Sequence, residues 1–114
     1  MTSDDKIFYD LPIVLAASKK LSWRQSALTE ARAVARFFTE MNLCTADLLT
    51  RFDNEPSEFV IRDSDFTDQG LDFVRRYFNK WESNVARWTY DPTEEQYMSG
   101  LMRLYKEFVA TKNA

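Results

Sequence analysis

Apolar residues recur every three or four positions along most of this chain, the spacing that turns one face of an α-helix toward a core. The clearest series is Leu71, Val74, Phe78, Trp81, Val85 and Trp88, whose steps alternate between three and four as in a heptad seam. Phe73 and Tyr77 widen it. A second series, Trp23, Ala27, Ala31, Val34, Phe38 and Met41, predicts a long helix before it. A third, Tyr97, Leu101, Leu104 and Phe108 with Met98, Met102, Tyr105 and Val109 alongside, covers about half a helix circumference, the width of a helix packed between two neighbours.

The boundaries carry their own chemistry. Asp10 followed by Pro12 predicts the cap and first turn of an opening helix through Val14, Leu15 and Ala17 to about Lys20. Ser22-Trp23-Arg24-Gln25 has the form of a capping box for the second helix, and Asn42 is its stop. Thr45 is placed to cap a short third helix through Leu48, Leu49 and Phe52. Thr67 or Asp65 caps the heptad helix, with Gly70 weakening only its start, and Asp91-Pro92-Thr93-Glu94 opens the last one. Between the third and fourth helices, residues 53–65 carry Asn54, Pro56 and several Asp and Ser residues and read as an acidic loop. Phe59-Val60-Ile61 is the one β-favouring run, and with no partner strand in sight it is expected to act as an apolar plug or a binding strip rather than part of a sheet. The expected fold is all-α: a single compact domain over residues 1–114, an antiparallel bundle of four to five helices with one acidic loop.

Composition excludes a good deal of chemistry. In 114 residues there is no His, one Cys and two Gly, which removes His-based catalysis, intrachain disulfides, Cys-rich zinc sites, P-loops and dinucleotide fingerprints. Cys44, beside Leu43, reads as a small buried hydrophobe. Met1 to Lys6 is acidic where a secretory leader is basic, and no apolar run approaches the roughly 20 residues of a membrane span, so a cytoplasmic protein with no membrane partner is expected.

The net charge of -3 is unevenly spread. Asp53, Glu55, Glu58, Asp63, Asp65, Asp68 and Asp72 stand against the single base Arg62, so this segment carries -6 and the remainder +3. Three of the acids, Asp65, Asp68 and Asp72, are spaced to favour the positive N-terminal end of the heptad helix. The others flank Phe59, Ile61 and Phe66, and apolar anchors ringed by one sign of charge make a surface that steers and holds a basic partner. The expected function is therefore a non-enzymatic protein-binding module, an inhibitor or immunity-type protein neutralising a basic protein such as a toxin. Its partner-binding residues are Asp53, Glu55, Glu58, Phe59, Ile61, Asp63, Asp65, Phe66, Asp68 and Asp72, and no cofactor or metal is implied. One alternative is a structural subunit that forms a homo-oligomer through exposed aromatic helix faces. A third reading takes Glu55, Glu58, Asp65, Asp68 and Asp72 as Mg²⁺ ligands of an all-α nucleotide hydrolase. Arg24, Arg32 and Arg36 along one helix, with Arg75, Arg76, Lys80 and Arg87 on another, suggest a nucleic-acid footprint. A pI near 5.0 and the pairing of Arg36 with Glu40 one turn on favour solvated helix faces instead.

Overall fold

Asp10 caps the first helix as its sequence suggests: in the computed structural model its side chain accepts a bond from the Ile13 N–H at 3.3 Å. The structure describes residues 5–88 and 92–112. The elements are β1 (Ile7–Asp10), α1 (Leu11–Ala17), α2 (Leu21–Glu40), α3 (Leu48–Asn54), a 3-10 turn (Pro56–Glu58), β2 (Val60–Arg62), a second 3-10 turn (Asp63–Asp65), α4 (Asp68–Phe73), a π-turn (Val74–Phe78), α5 (Asn79–Ala86) and α6 (Glu94–Lys112). The π-turn joins α4 to α5 without a break in helical dihedrals, so one rod carries the heptad seam. Of the described residues 74% are helical, and among them five helical rods fall within the four to five helices expected.

The all-α expectation needs one correction. β1 and β2 form a small antiparallel sheet in which Ile7 faces Arg62, Tyr9 faces Ile61 and Asp10 faces Val60, with an irregularity between Ile7 and Tyr9. The partner strand for Phe59-Val60-Ile61 is the stretch just before the first helix, whose four residues are too few to show an alternation of their own. Residues 53–65 are accordingly a chain of short elements rather than an open loop.

Several caps differ from the sequence reading. Ser22 lies inside α2, which starts at Leu21 with Lys20 in the cap position and no side-chain cap. The Arg24 guanidinium instead donates to the Leu15 carbonyl at 2.6 Å, fastening the start of α2 to the end of α1. Asp47, not Thr45, caps α3 by accepting from the Thr50 N–H at 3.0 Å. Thr45 is drawn away because its N–H donates to the Asp65 carbonyl at 2.7 Å. Asn42 does end α2, in the left-handed conformation at φ 56°. Thr67 caps α4, accepting from the Gly70 N–H at 3.0 Å. The Asp91 cap lies outside the described residues; within them, Thr93 and Gln96 exchange two bonds, of 2.8 and 3.2 Å, as a capping box for α6.

The core is a web of aromatic rings centred on α2. Phe37 and Phe38 of α2, Phe73 of α4, Phe78 and Trp81 of the seam and Phe108 of α6 are all buried. Most of their ring pairs meet edge to face, including Phe38 on Phe66 at 5.0 Å and Phe73 on Phe108 at 5.5 Å. Tyr97, Leu101, Leu104 and Phe108 of α6 point inward with the flanking residues partly covered, as their spacing predicts. Trp23 departs from the pattern: 54% exposed, it stands beyond the core in the first turn of α2. Among the described residues no helix is long and apolar enough to cross a membrane.

Candidate functional site

The acidic segment is built around β2. A strand alternates its side chains between faces, so pairing with β1 sends Ile61 inward while Arg62 stays exposed. Phe59, which accepts the Leu11 N–H at 3.1 Å through its carbonyl, rests its ring on Phe52 at 5.4 Å and Tyr9 at 6.2 Å. Phe59 and Ile61 are wholly buried, and Phe66 is nearly so. Burying each of these side chains is worth about 1.5–3 kcal/mol relative to leaving it in water, which decides between plug and strip. The three residues read as binding anchors are core residues.

The acids divide into two groups. Asp65 is structural: its carboxylate receives the Arg51 guanidinium in a two-bond fork of 2.8 and 3.0 Å and the Arg62 N–H at 2.8 Å. Burial works against that charge, but the Arg51 fork and the Arg62 N–H outweigh it and hold the carboxyl below its ordinary pKa. Asp53 receives Arg32 at 3.3 Å, and Asp72 pairs with Arg76 at 3.0 Å and more loosely with Lys112 at 3.9 Å. Glu55, Glu58 and Asp68 are exposed and Asp63 is partly so; within the described residues none of the four has an ion-pair partner. Asp65, placed by its spacing on the start of the heptad helix, in fact precedes that helix, in the second 3-10 turn.

Two clefts flank the ridge formed by α3 and the first 3-10 turn. One, of about 320 Å³, is lined by Arg51, Asn54, Glu55 and Glu58. Its cation is already engaged, since Arg51 also donates to the Val60 carbonyl at 3.0 Å besides holding Asp65. The other, of about 310 Å³, is lined by Leu28, Thr29, Arg32, Phe52, Pro56 and Glu94. A third cleft lies between Trp88 and Gln96, Ser99, Gly100 and Arg103 of α6. Leu28, Phe52 and Pro56 were not among the partner-binding residues read from sequence, because the groove they share forms only when α3 packs across α2.

Of the basic faces, Arg32 and Arg36 are neutralised within the fold. Arg36 binds Glu40, Glu94 and Glu95 at 2.9, 2.9 and 2.7 Å, and Arg32 binds Glu94 at 2.8 Å in addition to Asp53. These bonds raise both guanidinium pKa values. Burial opposes the Glu94 charge, but Arg36 and Arg32 together hold its carboxyl below the ordinary range. Glu40, one turn along α2, was the pairing legible in sequence; Glu94 was not, being 58 positions away.

Two further groups titrate abnormally. The Tyr9 hydroxyl, pushed up by burial, donates to Glu30 at 2.8 Å, and the Glu30 carboxyl is itself raised, by burial first and by the Glu82 charge nearby. Burial also raises the half-buried Cys44 thiol, which keeps it protonated and unreactive. Among the described residues no three His, Cys, Asp or Glu converge to hold a metal ion. In particular Asp65 and Asp72, read as Mg²⁺ ligands, face Arg51 and Arg76. Comparison of the chain with protein-family models, with curated proteins and with solved structures found no match.

Proposed function

We propose that this chain is a non-enzymatic protein-binding module that engages a basic protein, and that it acts as an inhibitor of the immunity-protein kind by covering its partner's cationic surface. The observation that supports this reading most is the ridge of α3 and the 3-10 turn. Among the described residues no cation pairs with Glu55 or Glu58, which line one cleft, while Phe52 and Pro56 of the same short stretch line an apolar groove with Leu28. Unanswered acids steer a basic partner and set its orientation, while an apolar groove next to them takes an anchoring side chain. The anchors in this reading are the groove residues, replacing Phe59, Ile61 and Phe66, and Asp63 and Asp68 extend the acidic field.

The test compares the unaltered chain, immobilised, with its Glu55→Lys/Glu58→Lys variant in a lysate of the source organism. Both side chains are exposed, so the variant retains the fold. A basic protein held by the first and lost by the second, with association slowed by added salt, is the expected outcome. Identical captured sets would refute the reading.

A further inference from the structure

We propose that the adjoining ends of α1 and α2, residues 13–24, form a docking surface for an anionic lipid bilayer, on which the protein sits without spanning it. Five large apolar side chains are strongly exposed among the described residues, and four of them fall here: Ile13 at 66%, Val14 at 44%, Leu21 at 70% and Trp23 at 54%. Scattered exposed hydrophobes are ordinary, but four within eleven residues, on two helices fastened to each other, are a concentration. The fastening is the Arg24 bond to the Leu15 carbonyl. Residues 19–25 are all exposed, so this end projects from the body of the fold.

Charge selects the occupant. From Leu11 to Thr29 there is no acid, while Lys19, Lys20 and Arg24 stand among the apolar side chains. Lys20 lies 4.8 Å over the Trp23 ring, holding a cation beside the indole. A twofold dimer through this patch would bring two sets of Lys19, Lys20 and Arg24 into one interface with no acid from residues 11–29 to answer them, which disfavours a second chain as the occupant. None of the three clefts described above includes a residue between 13 and 24. A projecting end that pairs Trp and Leu with lysines suits the headgroup region of a negatively charged bilayer, where the indole seats at the interface and the ammonium groups meet lipid phosphates and carboxylates. The acidic ridge then faces water, because an anionic surface repels it, and the two surfaces are occupied independently.

Mixed phosphatidylcholine–phosphatidylserine vesicles and pure phosphatidylcholine vesicles provide the test, read by co-sedimentation and by tryptophan emission. Trp81 is buried and Trp88 partly so, leaving Trp23 as the most exposed indole. The full chain is expected to sediment with the mixed vesicles only, with a blue shift of its emission and release at high salt. Lys19→Ala/Lys20→Ala should weaken partition by about fivefold for each cation removed. Leu21→Ser/Trp23→Ser should abolish it, with circular dichroism and an unchanged urea midpoint showing that the fold is kept. Failure to bind the mixed vesicles at low salt overturns the proposal, as does equal binding to both vesicle types or retained binding by the Leu21→Ser/Trp23→Ser variant. Self-association that this variant abolishes, or a protein partner lost with it while vesicles are ignored, assigns the patch to that occupant and likewise overturns the proposal.

Discussion

Replacing Gly70 by alanine sets two physical effects against each other. Helix propensity alone favours the substitution, since alanine inside a helix is worth about 1 kcal/mol over glycine. Packing opposes it: a Cβ at Gly70 would collide with the backbone carbonyl of Leu43 and stand 3.2 Å from the Leu43 Cβ. That carbonyl cannot swing aside freely, because it accepts the Thr67 N–H at 3.0 Å and the Thr67 hydroxyl at 3.3 Å while Thr67 caps α4. Overpacking against a fixed obstacle costs about 1–3 kcal/mol, and disturbing the Thr67 bonds costs about 1 kcal/mol more. Subtracting the propensity gain leaves a net loss of about 2 kcal/mol. For a domain of this size that is roughly 8 °C in Tm, or about 1 M in urea midpoint at unchanged slope. Urea titration followed by far-ultraviolet circular dichroism measures it. Gly100→Ala is the comparison, where the new Cβ meets the Trp81 indole edge at 3.1 and 3.2 Å rather than a backbone atom, and a smaller loss is expected. A Gly70→Ala protein as stable as the original would show that the α4 start is not held against Leu43, and the packing argument would fall.

Two carboxyls should respond to pH with opposite signs. Glu30 has its pKa raised in the fold by burial, so its charge costs stability above the folded value and costs nothing below the unfolded value of about 4.3. Glu30→Gln keeps an acceptor for the Tyr9 hydroxyl and should be more stable than the original at pH 7, the gain vanishing by about pH 4; a loss at pH 7 would contradict this. Asp65 has its pKa lowered, so its contribution is present above about 3.9 and fades as the pH falls through the folded value. Asp65→Asn should cost about 1–2 kcal/mol at pH 7 after allowing for the exposed flank of Arg51, and progressively less below pH 4. Urea midpoints measured between pH 7 and pH 3 decide both.

Most of the helical frame was legible because period and caps are local. The steps of the Leu71–Trp88 seam and of the α6 face, the Asp10 and Thr67 caps and the Asn42 stop all act within a few residues. What the sequence hid depends on distance along the chain. The strand partner of Val60–Arg62 lies fifty or more positions upstream, and Thr45 was read as a cap although the Asp65 carbonyl claims its N–H. At the acidic ridge, charge density was readable and its availability was not. Arg51 and Arg32 take two of the acids, and the β1 pairing turns Phe59 and Ile61 inward. Trp23 fitted the spacing of its helix, but spacing does not say where the core ends. The acid-free run around Lys19, Lys20 and Arg24 was the one sign in the sequence that this helix end differs from the rest.

The pairing of β1 with β2 also orders the growth of the chain. Residues 7–10 are made well before the strand Val60–Arg62, whose backbone groups complete them. Until β2 has been made, Tyr9 lacks the Phe59 ring that packs on it, and Leu11 waits for the Phe59 carbonyl to receive its N–H. Closing so long a loop carries an entropic cost that only the surrounding contacts offset. The opening strand is thus seated late, and a chain stalled before β2 presents an apolar N-terminal segment to chaperones or to other unfinished copies.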